Sequence, residues 1–226
     1  MLAKRLFDIA CAGAALVVSA PLLGLAAIGI KLTDPGPVFY RARRVGYRGK
    51  PFTMFKLRTM RQAPRGEPGA RITAARDARV FKFGQFLRRT KIDELPQLFN
   101  VLRGDMAIVG PRPEDPAIVK DHYRATHYRT LTVRPGLASP GSLYQFTRGD
   151  ALLGRDPELG YVTKILNTKL ALDLVYIRQA SLKRDLAIIG RTLWIIGSVV
   201  VGRRHFPPLP EMAEARRLLA KERTQR

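Results

Sequence analysis

Only one cysteine, Cys11, occurs in 226 residues, and it lies inside an apolar run. No disulfide framework follows, nothing argues for an oxidising compartment, and burial rather than thiolate chemistry is its expected fate. Histidine is nearly as scarce: His122, His127 and His205 form no HExxH pattern and join no Cys/His cluster of zinc spacing, so a zinc site is not expected. A Walker A loop and a Gly-x-Gly-x-x-Gly turn are both missing, which removes two common nucleotide cradles. Acidic residues are few, eighteen against forty Lys and Arg. The net charge of +22 exceeds what solubility requires and implies anionic partners such as phosphates or acidic lipid. No recognisable nucleic-acid module accompanies it, so nucleic acid is not an expected partner. This length suits one catalytic unit, or a small domain plus a membrane segment, and no internal repeat is visible.

What the chain does have is a nearly uninterrupted apolar stretch from Leu6 to Leu32, broken only by Asp8 and Lys31. At about 1.5 Å per residue such a helix covers about 30 Å of hydrocarbon, so a membrane segment is expected over 1–33. It is too long for the apolar part of a signal peptide, and Pro21 directly follows the only small-residue site, Ser19 and Ala20. Both flanks are basic: Lys4 and Arg5 before it, Lys31, Arg41, Arg43, Arg44, Arg48 and Lys50 after it. Both therefore look cytoplasmic. A helix broken at Pro21, re-entering the leaflet it came from, keeps them on one side. Pro21 cannot donate to the carbonyl of Val17, and Ser19 stands close enough to satisfy a freed backbone group. A proline-kinked spanning helix is the alternative on physical grounds.

Short apolar runs at 38–40 and 52–55 flank Gly46-Tyr47-Arg48-Gly49, which predicts a β-hairpin between Val38 and Met60 carrying Arg41, Arg43, Lys56 and Arg58. Residues 61–79, with four Pro or Gly and many arginines, read as a mobile basic loop. Helical patterns over Phe81–Leu87 and Leu95–Leu102 enclose Arg88-Arg89-Thr90-Lys91-Ile92-Asp93-Glu94. Because Pro96 is tolerated only in a first helical turn, Asp93 and Glu94 are expected at or just before a helix N-terminus, which attracts anions and positions carboxylates. Gly110-Pro111-Arg112-Pro113 and Val133-Arg134-Pro135-Gly136 are rigid turns that each present an arginine suited to phosphate. A helix is expected over 164–178. The apolar stretch Leu186–Val201, interrupted by Arg191 and Thr192, suits an interfacial helix with Trp194 at headgroup level better than a span. A charged, solvated helix closes the chain over 211–226.

An aspartate can attack phosphorus to form an acyl phosphate, dividing one difficult exchange into two displacements. A carboxylate approaching a diphosphate needs a cation to offset the repulsion, and Mg²⁺ held by a carboxylate such as Glu94 together with substrate oxygens supplies one. Taken alone an Asp-Glu pair is a weak signal, since most such pairs are surface caps. Two other readings stay open on the residues: Asp93 as general base in a single displacement, and a non-catalytic scaffold gripping anionic lipid.

The runs at 4–9 (Lys-Arg-Leu-Phe-Asp-Ile), 34–41 (Asp-Pro-Gly-Pro-Val-Phe-Tyr-Arg), 49–60 (Gly-Lys-Pro-Phe-Thr-Met-Phe-Lys-Leu-Arg-Thr-Met), 93–106 (Asp-Glu-Leu-Pro-Gln-Leu-Phe-Asn-Val-Leu-Arg-Gly-Asp-Met) and 109–114 (Val-Gly-Pro-Arg-Pro-Glu) resemble the bacterial sugar transferases, the monotopic phosphoglycosyl transferases, in the same order and up to about Thr192. The resemblance implies transfer of a sugar 1-phosphate from a UDP-sugar to undecaprenyl phosphate, releasing UMP, with Mg²⁺. It implies the first membrane step of glycan assembly (exopolysaccharide, O-antigen or glycoprotein), at the cytoplasmic face of the bacterial inner membrane. By similarity Asp93 matches the nucleophile and Glu94 its partner at the metal, while Lys56, Arg88 and Arg112 match basic residues assigned to phosphate binding and Arg134 is a looser candidate. The expected fold is α+β and mainly helical: a re-entrant membrane helix hairpin (1–33), a compact catalytic domain with a small β-hairpin and interfacial amphipathic helices (34–205), and a charged tail (206–226). Membrane phospholipid is an expected partner, and a homodimer is left open. Two departures stand out. Ala20, not Ser, precedes Pro21, and Gly-Leu-Ala-Ser-Pro-Gly-Ser-Leu-Tyr-Gln-Phe at 136–146 differs from the family's usual run, where sugar specificity could be altered.

Overall fold

The computed structural model describes residues 2–61, 72 and 77–224. The apolar stretch forms one helix, α1 (Leu2–Thr33), with Pro21 inside it. No break into a helix hairpin occurs: proline removes a single backbone hydrogen bond, and helix-forming residues on both sides carry the ladder past it. The Ser19 hydroxyl donates to the Leu16 carbonyl at 3.4 Å rather than to Val17, the carbonyl that Pro21 frees. One stripe of α1, including Asp8, Ala12, Ala26 and Ile30, is buried against the rest of the chain, while Val17 and Val18 are 76% and 81% exposed. Both ends of the helix are held by the same body. Near the start Arg5 donates to the carbonyls of Val101 and Leu102 at 2.6 and 2.9 Å; just after the end Arg58 pairs with Asp34.

The expected hairpin is present. Strands β1 (Phe39–Val45) and β2 (Pro51–Leu57) pair antiparallel, with Tyr40 opposite Lys56 and Ala42 opposite Met54. The turn between them, Tyr47–Gly49, carries left-handed backbone at Arg48 and Gly49. Helix α2 (Lys82–Thr90) follows, then a 3₁₀ turn at Ile92–Glu94, α3 (Gln97–Arg103), β3 (Ala107–Val109), α4 (Pro116–His122), a second 3₁₀ turn at His127–Thr132, β4 (Gly136–Ala138) and α5 (Pro140–Leu152). A short α6 (Pro157–Gly160) runs through a π-helical turn, Tyr161–Leu166, into α7 (Asn167–Arg178), and α8 (Leu182–Val200) and α9 (Met212–Thr224) complete the chain. The arginine-rich loop expected over 61–79 falls largely outside the described residues.

Strands β3 and β4 pair in parallel, Ala107 with Gly136 and Val109 with Ala138, and this short pair carries the turn that presents Arg112. Its strands meet at two glycines. A Cβ on Gly110 would stand 2.5 Å from the Arg134 carbonyl oxygen, and one on Gly136 would collide with the Gly110 backbone. Around the pair lies the main core, which gathers Ala12, Ala42, Met54, Val101, Met106, Val109, Tyr176 and Ile188 from seven elements. Each large apolar side chain so buried contributes about 1.5–3 kcal/mol.

Helix α7 is buried on every side from Lys169 to Tyr176, which explains why its polar residues look like interruptions of a leucine pattern. On α8 the expected charge inside the apolar stretch is turned inward: Arg191 bonds the Glu211 carboxylate at 2.9 Å. Leu182, Leu186, Leu193 and Trp194 face outward, and Trp194 meets Phe206 edge to face at 5.9 Å under the Arg203 guanidinium. The C-terminal segment, expected to be solvated, is docked instead. Ala215 is fully buried, Phe206 and Leu209 enter a core with Leu172 and Ile195, and Gln179 bonds Glu214 at 2.7 Å. Its apolar residues recur on one side of α9, and charge patterning alone hides that stripe.

Candidate active site

Asp93 and Glu94 lie in the 3₁₀ turn directly before α3, with Pro96 at the helix start, as the position of the proline predicts. The turn is entered through Lys91, whose left-handed backbone (φ 60°) ends α2 and reverses the chain. Both carboxylates are buried. Glu94 is surrounded by donors. Arg112 Nη2 stands 2.7 Å from Oε2, Gln97 Nε2 donates to the same oxygen at 3.3 Å, and the Lys56 and Lys91 ammonium groups each stand 3.4 Å from Oε1. Arg112 is steadied by the Leu137 carbonyl at 3.3 Å, and Lys91 by the Phe146 ring at 4.4 Å. These contacts join β2, the Lys91 turn, α3, the Arg112 turn and α5 at one place.

The two acids are left in opposite states. Burial pushes the Glu94 carboxyl up, but the charges of Arg112, Lys56 and Lys91 outweigh it and hold the group well below the usual carboxylate range. Burial also acts on Asp93, reinforced by the neighbouring Glu94 charge, and here the more distant Lys56, Lys91 and Arg88 do not overcome it, so the carboxyl is raised. Asp93 Oδ1 is buried without a hydrogen-bond partner among the described residues, and so is Arg88 Nη1. Lys56 is lowered to about 8, chiefly by burial, against the pull of Glu94.

Of the residues picked out in sequence, Lys56, Arg88, Asp93, Glu94 and Arg112 come together here. Arg134 does not. Its Nε donates to the Gly104 carbonyl at 2.9 Å, at the far end of α3 from the acids, because the turn that presents it faces the helix C-terminus and its unpaired carbonyls. Ser19 and Pro21 lie in the exposed middle of α1. Lys91 and Gln97 complete the cluster without having been singled out. Gln97 sits three residues after Glu94, a spacing that could have suggested it.

Among the described residues no group of three His, Cys, Asp or Glu side chains could hold a metal ion. Among the described residues the donor set offers the Asp93 carboxylate, whose Oδ1 is buried and unpartnered, and a glutamate already bound by cations. That suits a magnesium ion arriving with phosphate oxygens of its own, since Mg²⁺ typically takes only one or two protein carboxylates beside substrate phosphates. The cations outnumber the acids: Lys56, Arg88, Lys91 and Arg112 against Asp93 and Glu94, a surplus that an anionic ligand would neutralise.

A family model described as "Bacterial sugar transferase" matches residues 1–198 of the chain. The chain is 40% identical over 200 residues to a UDP-glucose:undecaprenyl-phosphate glucose-1-phosphate transferase of Xanthomonas campestris, an alignment covering 85% of this chain and 38% of that one. It is 40% identical over 195 residues to a protein of the same description from Caulobacter vibrioides, covering 85% and 68%. It is 36% identical over 209 residues to the exopolysaccharide production protein ExoY of Rhizobium meliloti, covering 85% and 84%. The chain thus spans well under half of the first relative and about two thirds of the second. Most of the docked C-terminal segment, α9 included, lies beyond the matched residues.

Proposed function

The chain belongs to the bacterial sugar transferases, and from that premise we propose that it transfers a sugar 1-phosphate from a UDP-sugar to undecaprenyl phosphate through a covalent intermediate on Asp93. The observation that carries this reading is the contrast within the acid pair: Asp93 keeps an unpartnered oxygen inside a cluster of four cations while Glu94 is engaged by three of them. An Asp93 oxygen bonds to the phosphorus that bears the sugar as the bond from that phosphorus to the bridging oxygen breaks, and UMP leaves with that oxygen. An oxygen of undecaprenyl phosphate then attacks the same phosphorus, and the aspartate departs as carboxylate. Arg112 holds Glu94 and, with Lys56, Arg88 and Lys91, stabilises charge on the transferred and leaving phosphates. Mg²⁺, held by Asp93 or Glu94 together with substrate oxygens, would offset the charge of the diphosphate when bound.

The lipid acceptor has to be met at a membrane surface, and three features support such a placement. The chain has one helix long and apolar enough to cross a membrane, with only 11% of its most apolar window buried. Its two basic flanks are tied to one body, through Arg5 at the start and Asp34 after the end, which favours keeping both flanks on one face, with the unbroken helix seated against that face, over a span with its ends on opposite sides. Phe86 of α2 and Phe99 and Leu102 of α3, the helices on either side of the acid pair in the chain, expose apolar side chains, as does the outer stripe of α8. We therefore read the protein as monotopic, with its acid pair near phospholipid headgroups on the cytoplasmic face of the bacterial inner membrane, serving assembly of an exopolysaccharide or a related glycan.

Purified protein in a membrane mimetic is incubated with undecaprenyl phosphate, Mg²⁺ and a panel of UDP-sugars, and UMP release is read. Release with at least one sugar is expected; silence across the panel overturns the reading and leaves a lipid-binding scaffold. Omitting acceptor while supplying a sugar donor labelled in the transferred phosphate is expected to leave label on the wild-type protein and none on Asp93→Asn. Turnover without label would instead make Asp93 a general base in one displacement.

A further inference from the structure

We propose that the first two turns of α1, through Lys4, Arg5 and Asp8, are a positioning element for the acid pair and not merely a membrane anchor. Asp8 is an acidic residue near the start of the apolar run, and it is almost fully buried. Its Oδ1 accepts from the Lys4 ammonium at 3.0 Å and from the backbone N–H of Ile108, the middle residue of β3, at 3.1 Å. Lys4 also reaches Asp185 Oδ2 at 2.8 Å, on the first turn of α8. The other Asp185 oxygen accepts from the Tyr176 hydroxyl at 2.7 Å, which itself stands 3.2 Å from the Val109 carbonyl. The network therefore grips β3 at two successive residues, and three positions beyond Val109 the chain delivers Arg112 to Glu94. One turn away Arg5 takes the last carbonyls of α3, Val101 and Leu102, and α3 begins immediately after the acid pair. The start of the membrane helix thus holds both elements that set the distance between Arg112 and Glu94.

A device meant only to keep α1 attached would not need a charge here. Apolar contacts already join Ala12 to the main core, and burying two carboxylates beside a half-buried ammonium is costly unless their bonds are directional and complete. What the charged network adds is a fixed register of β3 against α1, so the Arg112 turn is held when the helix is seated in the membrane.

This inference rests on the proposed transfer reaction, and a double-mutant cycle on UMP release separates the two. Asp8→Ala is expected to lower kcat/KM about tenfold and Arg112→Ala about a hundredfold, with the double variant no worse than Arg112→Ala within about twofold, because Asp8 acts through Arg112. Asp8→Asn, which keeps an acceptor for Ile108, should lose less than Asp8→Ala, while the membrane-bound fraction of all variants stays at the wild-type level. Losses that multiply in the double variant overturn the inference, as does a displaced membrane fraction that accounts for the loss. If Asp8→Ala does not accumulate as folded protein, the cycle is run with Lys4→Met and read by the same two outcomes. A wild type that releases no UMP from any sugar would end the reading of the reaction itself, whereas an active wild type with multiplying losses ends only this inference.

Discussion

Glu114 and Asp93 are both buried carboxylates with a lysine close by, yet the chain completes one and leaves the other unfinished. Behind the Arg112 turn, the Glu114 carboxylate accepts from the Lys169 ammonium and the Tyr161 hydroxyl, which are themselves 2.9 Å apart, and all three side chains are buried. Burial raises the Glu114 carboxyl, Lys169 and Tyr161 pull it below its ordinary value, and the tyrosine is pushed well above its own. Asp93 has the opposite balance: a raised carboxyl, an orphaned oxygen, and cations near enough to be felt but bonded to its neighbour. A closed network spends its hydrogen bonds on holding the fold, whereas an open one keeps bonding capacity in reserve for a ligand. The difference separates a carboxylate whose bonds are complete from one left open to a ligand, and sequence composition does not reveal it.

Four experiments can break or sharpen that contrast. The largest effect is expected at the open site: Asp93→Asn should lower turnover by at least about a thousandfold, while the melting temperature does not fall, because the substitution relieves a buried charge that nothing completes. At the closed site the pattern should reverse. Lys169→Met should cost about 3–5 kcal/mol of stability by leaving Glu114 unpaired, readable in denaturant unfolding, and an unchanged midpoint would refute the structural role. Next in size is the pH dependence of kcat/KM. The proposed reaction needs Asp93 ionised, and because its carboxyl is raised, activity should begin to fall on the acid side sooner than for an ordinary aspartate. The proposed reaction also needs Lys56 charged, and with its value lowered to about 8 activity should decline as the pH rises past 8. Lys56→Met should remove the alkaline decline and leave the acid one, and a persistent alkaline limb would reassign it. The smallest effect is expected from Arg134→Ala, within about twofold in turnover, since that guanidinium serves the far end of α3.

Much of this was legible in the chain, for identifiable reasons. The hairpin announced itself through its Gly-Tyr-Arg-Gly turn, and Pro96 fixed where α3 had to begin and hence where the acids sit. The partnerships were not legible. Asp8 reads as a flaw in an apolar run because its acceptor role is toward Ile108, a hundred positions away; the part of Lys169 stays hidden because its partner Glu114 is fifty-five positions away. The direction Arg134 takes, toward Gly104 and away from the acids, was not legible, because a rigid turn shows that an arginine is presented but not in which direction. Lys91 carried no pattern at all. Its part depends on a left-handed backbone and on an aromatic ring from α5, within the segment that departs from the family's usual run.

The glycines where the β3 and β4 backbones meet set a tolerance on where Arg112 stands. With Gly110 and Gly136 in contact, two backbones touch where any methyl group would wedge them apart, and Arg112 leaves from that contact. Its reach to Glu94 is therefore fixed by the thickness of bare peptide. A single added carbon at either place would open a gap that no side-chain rearrangement could close, so the protein's most exacting positions include two that contribute no side chain at all.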